Sequence, residues 1–431
     1  MKRKAFLKSA TLTAAGSMVV PYILPSGRLF ARTASRKANH VVFCLFAGGV
    51  RNLESMQMQD GNLMTNTLNG TAPISSDIAG GMTTLPQLAS TRLQNLGTLY
   101  NNFSYAQGPT GHYNGHTTAI TGKYTDNNIQ IQQPPPYPTI FEYYRKYNSP
   151  SMGALNAWWI CDQLGAYPYL NYSLYPGFGP MYGANMIQPS TIISGTGYNQ
   201  LGHPLTLTGQ QQTDCDMVKS FLNGQFKVPG AAAASGITNT PQDAAKLEAF
   251  INTLLTNAYH GMYGNPWNGV TLDSDMLNIF FGIQVMQEFT PELMVINMTG
   301  IDIAHFNYTS YVDNIRKADY ALYKLWSAIQ STPGMANDTV LIVAPEHGRN
   351  LQPNSAIDTY GRYGLDHTSD DMSREIFCLV VGPSGVVKQG QTLPNMGESV
   401  DIAPTIANIL GFDTNIPGGM FDGSALSSAF V

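Results

Sequence analysis

The sequence predicts an α/β protein: a three-layer sandwich in which a mostly parallel sheet carries helices on both faces, with a cap region inserted into the chain. Three observations predict it. Largely apolar runs of strand length recur at 40–46, 293–298, 339–344 and 376–381, the pattern of strands buried on both faces. Between the second and third runs, Val312, Ile315, Ala318, Leu322, Leu325 and Ile329 recur at helical spacing, so strand, helix and strand follow one another as in a parallel crossover. Finally, polar residues of ligand type follow the runs: Gly48, Gly49 and Arg51, then Asp302 and His305, then Glu346, His347 and Arg349. Ligands gather beyond the carboxyl ends of such strands, so the pattern brings separate segments to one edge.

Taken in chain order, residues 1–31 have the layout of an export signal: a basic start, Lys-Arg-Lys-Ala-Phe-Leu-Lys, then the small and apolar stretch Ala10–Leu24. The order Arg3-Lys4-Ala5-Phe6-Leu7-Lys8 is similar to a twin-arginine signal with Lys in the second Arg position, so either that route or the general one fits. The apolar run is broken by Pro21 and Pro25 and is shorter than the ~20 residues of a spanning helix. The expected mature protein, 32–431, is a single α/β domain, periplasmic or secreted, with no membrane span. Its first strand is 40–46. Residues 125–290 read as loops and helices that cap the site, among them a helix over Pro241–Tyr259 and an aromatic block at Trp158–Tyr198 that anchors loops.

Composition excludes several classes. With 23 Lys+Arg against 28 Asp+Glu and no basic stripe beyond the first few dozen residues, nucleic acid is excluded as a partner. The charged fraction is only 12%, while Gly (42), Pro (26) and Tyr (23) abound, which describes a turn-rich, weakly charged surface suited to export. The cysteines at 44, 161, 215 and 378 show no Cys-x-x-Cys spacing, against zinc-ribbon and thioredoxin readings. Cys44 and Cys378 lie in strand-like runs as small hydrophobes, whereas Cys161 and Cys215 have the option of pairing in an oxidising compartment.

The chemistry lies in Asp302-Ile-Ala-His305, Glu346-His347 and Asp366-His367, mixed carboxylate and imidazole sets that suit zinc or manganese. His112 and His116, four apart, share a face if helical. Asp366 reads either as a partner that orients His367 or as a turn residue. Asp401 reads as the N-cap of a helix beginning near Ile402. His40, His203 and His260 read as structural.

The runs Leu341-Ile-Val-Ala-Pro-Glu-His-Gly348, Gly364-Leu-Asp-His367 and Glu398-Ser-Val-Asp-Ile-Ala-Pro-Thr-Ile-Ala-Asn-Ile-Leu-Gly411 resemble the C-terminal half of the alkaline phosphatase superfamily. That superfamily includes sulfatases, nucleotide phosphodiesterases and phosphomutases. Gly111-His-Tyr-Asn-Gly-His-Thr-Thr-Ala-Ile-Thr-Gly122 resembles its nucleophile segment, and the whole looks most like an exported sulfatase-like branch. The resemblance covers 40–124 and 290–412. It implies a divalent-metal hydrolase of phosphate or sulfate esters, with one or two zinc ions and manganese or calcium as alternatives. Asp302, His305 and His367 would hold one ion. Glu346 and His347 would hold or approach a second, and Arg349 would clamp a substrate oxygen. A small-molecule, glycan or lipid ester is the implied partner.

Departures from the pattern matter. The metal-binding Asp usual after the first strand is replaced by Gly48 or Gly49. Nine residues before Thr121, where a Ser, Thr or Cys nucleophile is usual, stands His112, which as an imidazole can serve as nucleophile, base or ligand. Asp302 and His305 are three apart where four is frequent. Thr110 and Thr117 are fallback nucleophiles. With a single ion, an activated water becomes the attacking group. The alternative is a non-catalytic descendant that keeps the scaffold and a metal or ligand, or a surface protein whose 125–290 segment does the work.

Overall fold

The structure is a computed structural model. It describes residues 36–125, 134–148, 153–161, 170–193, 237, 239–264, 266–368, 370–394 and 396–431, together with a short strand pair, Tyr22–Ile23 against Leu29–Phe30. The chain falls into two units, Met1–Arg36 and Lys37–Val431. In the first, only the antiparallel strand pair and Arg36 are described; the rest of the expected export signal, and Cys215 and His203, lie outside the described residues.

The second unit is built on an eight-stranded sheet. Its strands are β1 (His40–Phe46), β2 (Gly97–Ser104), β3 (Ala157–Cys161), β4 (Asn185–Ile187), β5 (Leu293–Met298), β6 (Thr339–Pro345), β7 (Glu375–Val381) and β8 (Gln391–Leu393). Their order is β8-β2-β7-β6-β1-β5-β3-β4, and only β7 runs against the others. Every residue of β1 is buried. Val42, Cys44 and Phe46 join one apolar cluster, while Val41, Phe43 and Leu45, on the opposite face, are equally buried. Burial on both faces is what continuous apolar runs predict, and the α/β sandwich is the observed architecture.

Among the described residues, five longer helices pack around the sheet: α1 (His112–Thr121), α2 (Pro241–Tyr259), α3 (Ser274–Phe289), α4 (Tyr308–Ser331) and α5 (Ile402–Leu410). The apolar stripe read between 312 and 329 is the buried face of α4, and Val312, Ile315, Ala318, Leu322, Leu325 and Ile329 all lie in the cluster shared with α3 and β1. α3 lies on β5 as well as on α4, whereas α5 packs on β1 and α1. The α2 boundaries coincide with the expected helix, whose Thr240 side chain accepts from the Asp243 N–H.

Two expectations need correction. Residues 125–290 are not loops and helices alone, because Ala157–Cys161 and Asn185–Ile187 extend the sheet beyond β5. Trp158 and Trp159 are buried in that strand, so the beginning of the aromatic block is core. Asp401 does stand before α5, yet its carboxylate makes no cap to that helix. It accepts instead from the Ser424 N–H at 2.7 Å and the Glu398 N–H at 2.8 Å, which ties the following loop to the turn before the helix.

Register fixes where the polar segments open. Phe46 of β1 pairs with Met298 of β5 on one side and Pro345 of β6 on the other, so the three strands end level. The turns beginning at 47, 299 and 346 therefore share one edge. β7 meets that edge with its beginning rather than its end: the Gly348 N–H donates to Ser373 O at 2.7 Å. This is why Asp366 and His367 reach the site from a segment that precedes their strand.

Candidate metal centre

The outer layer of the centre comes from three segments. α1 begins at His112, so that residue stands at the mouth of the helix. Asp302 and His305 lie on a 3₁₀ turn, Gly300–His305, directly after β5. With about three residues per turn, that helix eclipses side chains three apart, so the unusual spacing of this pair places both on one face. His367 arrives on the loop before β7. His112, Asp302, His305 and His367 each offer a ligand atom, all within 4.8 Å of one another.

Every outer side chain is held from behind. His112 Nδ1 donates to Glu346 Oε1 at 2.6 Å, while its Nε2 lies 3.0 Å from Asp302 Oδ1. His305 Nδ1 donates to Asp366 Oδ1 at 2.7 Å, and Asn354 Nδ2 holds the same oxygen at 2.9 Å. His367 Nδ1 donates to Thr110 O at 2.6 Å. Asp366 thus orients His305, not its neighbour His367. Neither Asn354 nor the Thr110 carbonyl carries a signal in the sequence that would single it out.

An inner layer lies beneath. Glu346, His347, His116 and Arg349 are all 0% exposed. His112 and His116 do share a face of α1, and both turn to Glu346: His116 Nδ1 contacts Oε2 while His112 holds Oε1. His116 Nε2 meets Asn297 Oδ1 at 2.7 Å, a polar residue in the otherwise apolar β5 and so a signal the sequence did contain. The Gly48 N–H donates to Glu346 Oε1 at 2.5 Å. His347 Nδ1 donates to Gly348 O at 2.7 Å, leaving Nε2 3.3 Å from His112 Nδ1. His112, Glu346 and His347 form a second convergent group.

Arg349 is buried rather than turned outward as an oxygen clamp. Its Nη1 donates to Leu365 O at 2.6 Å, its Nε to Gly49 O at 3.2 Å, and its Nη2 to Gly48 O and, at 2.8 Å, to Asp302 Oδ1. Those carbonyls turn inward because Gly48 and Gly49 adopt φ of 103° and 79°, where a side chain is strained. Arg51 lies outside the cluster, its guanidinium paired with Glu54 at 2.6 and 2.9 Å. His40 is structural, with Nδ1 donating to Pro291 O at 2.9 Å.

The electrostatics follow from this packing. Burial works against a charged His112, but the Glu346 and Asp302 carboxylates on either side outweigh it and lift its pKa to about 9. Burial alone would raise the Asp302 pKa, yet hydrogen bonds from His112 and His305 and the Arg349 charge hold it well below the usual carboxylate range. Glu346 is held low against its burial by His116, His112 and His347. Burial and the neighbouring His347, His112 and Arg349 press His367 down to about 2, so its ring is neutral and able to ligate.

No protein-family model matches the chain, and no curated protein matches it. Among solved structures it is similar to wild-type alkaline phosphatase PafA, at 10% identity and a TM-score of 0.50, over 93% of this chain and 100% of that one. Weaker likenesses include the lipoteichoic acid synthase LtaP from Listeria monocytogenes (10% identity, TM-score 0.43, 92% of this chain and 76% of that one). Another is the phosphonate monoester hydrolase SpPMH from Silicibacter pomeroyi (15% identity, TM-score 0.42, 90% and 75%). With the mostly parallel sheet and a whole-length match to PafA, the chain has the alkaline phosphatase fold.

Proposed function

We propose that the protein is a divalent-metal-dependent hydrolase of phosphate or sulfate esters that works outside the cytoplasm. One observation carries the reading: His112, Asp302, His305 and His367 converge within 4.8 Å at the carboxyl edge of the sheet, in a fold shared with an alkaline phosphatase. Their mixed imidazole and carboxylate donors fit zinc best, with manganese or calcium as weaker alternatives. A bound cation would supply positive charge for a phosphoryl or sulfuryl oxygen and make water more acidic.

The chain's own groups prepare that chemistry. Arg349 fixes Asp302, Asp366 and the Thr110 carbonyl aim His305 and His367, and Glu346 aims His112. The hydroxyl candidates are poorly placed as covalent nucleophiles: Thr110 Oγ1 shares its one hydrogen between the carbonyls of His367 and Thr368, both at 2.9 Å, and Thr117 is fully buried. Water is then the attacking group. The same lack of an available hydroxyl at the cluster among the described residues favours one second reading, a non-catalytic metal-binding descendant. Export is supported by the basic and apolar start of the chain, and no helix among the described residues is long and apolar enough to cross a membrane. Cell fractionation with an antibody to the chain tests that part.

The decisive assay is hydrolysis of 4-nitrophenyl phosphate and 4-nitrophenyl sulfate with added zinc. Wild type should turn over at least one of them, and His112→Ala and His367→Ala should each lose more than about 100-fold. Turnover that survives both substitutions removes the site. Wild type that binds zinc but hydrolyses neither ester selects the non-catalytic reading.

A further inference from the structure

We propose that the centre holds one divalent ion and not two, through Nε2 of His112, His305 and His367 and a carboxylate oxygen of Asp302. Glu346 and His347 are then positioning residues that act through His112. The inference rests on the metal-dependent reading above and narrows it.

The argument lies in the far nitrogen of each imidazole. A neutral ring has one N–H and one lone pair, and carbonyl and carboxylate oxygens only accept. The Nδ1 atoms of His305, His367 and His112 lie 2.7, 2.6 and 2.6 Å from Asp366 Oδ1, Thr110 O and Glu346 Oε1. Each Nδ1 therefore carries a hydrogen. Without an ion the His112 ring keeps a second one on Nε2 toward Asp302, and a bound cation would take the place of that proton, so that the ligating lone pair falls on Nε2 in all three rings. Nε2 of His112 and of His305 lie 3.0 and 3.3 Å from Asp302 Oδ1. Neighbouring ligands of a tetrahedral zinc, with bonds of about 2.0–2.1 Å, are about 3.3 Å apart. Histidine ligands whose other nitrogen donates to a carboxylate or carbonyl are the usual arrangement at metal centres, because that bond fixes the tautomer and the ring angle.

The inner group does not meet the same conditions. Once His112 Nε2 serves the outer ion, its Nδ1 is a donor and cannot ligate a second. Glu346 Oε1 already accepts from the Gly48 N–H and His112, while Oε2, which makes no hydrogen bond, is in close contact with the His116 ring, whose Nδ1 donates to His112 O at 2.8 Å. His347 Nε2 stands 3.3 Å from the His112 N–H, placed to accept from it. Two residues remain, too few for a divalent site of three or four protein ligands. The turn after β1 gives no room for another: a Cβ on Gly48 would lie 2.5 Å from the Asp302 nitrogen, and one on Gly49 2.4 Å from His347 Nδ1. The buried Arg349 guanidinium holds both carbonyls of that turn, a fixed positive charge that repels a second cation.

The test is metal content. Wild type saturated with zinc and freed of excess should carry one zinc per chain by plasma mass spectrometry. Two per chain would overturn the inference and leave the hydrolase reading standing; none would overturn both. Glu346→Gln, folded by circular dichroism, should still carry one zinc, with its dissociation constant raised roughly tenfold. An unchanged constant would overturn the positioning role. If that variant does not fold, the wild-type stoichiometry still decides the number of ions, and His347→Gln, expected to keep one zinc, tests the inner layer.

Discussion

A histidine can offer a ligand only one nitrogen, and its other nitrogen decides which. At this centre those second partners are a carboxylate on a distant loop, a backbone carbonyl and a buried glutamate, none of them adjacent in the chain to the ring that it aims. Removing one should loosen the centre without abolishing it: Asp366→Ala is expected to weaken zinc binding about 10–100-fold by calorimetry. Thr110→Val, which keeps the carbonyl that orients His367, should change ester turnover by less than about threefold; a loss beyond about 100-fold would restore Thr110 as a nucleophile. Gly48 offers a structural test. Its φ of 103° and the 2.5 Å approach to the Asp302 nitrogen leave no place for a methyl group, so Gly48→Ala should destabilise the fold by about 1–3 kcal/mol or more in urea unfolding. Asp302, His305, Glu346 and His347 stand out in the sequence because they follow apolar runs, whereas His112 and His367 follow none and are singled out only by the resemblance. The direction of Arg349 is not legible there, since nothing before the fold says that two glycine carbonyls will turn toward it.

Among the elements, α4 and the 3₁₀ turn before it show how spacing becomes position. The stripe from Val312 to Ile329 predicts a helix with one buried face, and that face is where the structure places it. The same helix carries Asp319, buried against the loop at Asn66, whose backbone and side-chain N–H groups both donate to Oδ2 at 2.9 Å. Burial outweighs those bonds and raises the Asp319 pKa from 3.8 to about 6. Because the folded state holds this proton more tightly than the unfolded chain, the contribution is most favourable below pH ~4 and is lost as pH rises through ~6. Asp319→Asn should therefore gain stability relative to wild type across that window, by about 2 kcal/mol at pH 7 compared with pH 4. Equal pH profiles for the two proteins would refute the assignment. The direction of β7 is an element-scale feature that the sequence does not reveal, since an apolar run reads the same in either orientation. β3 is missed for a related reason: Ala-Trp-Trp-Ile-Cys sits in an aromatic, Gly- and Pro-rich stretch whose turn signals mask a short strand.

At the scale of the whole molecule, the sheet order sets β1 between β5 and β6 and brings residues from 48 to 367 to one edge. An ion that binds this assembled edge and not the unfolded chain adds stability by mass action, about 2.7 kcal/mol at a free concentration one hundred times its dissociation constant. Chelation should accordingly lower the melting temperature by a few degrees and added zinc should restore it, a response that His305→Ala with His367→Ala should lack. The strongest test of the account is where the ion sits. Anomalous diffraction at the zinc edge from zinc-loaded crystals should show a single peak about 2.0–2.1 Å from Nε2 of His112, His305 and His367 and from an Asp302 oxygen. No peak within ligating distance of these four residues would contradict it.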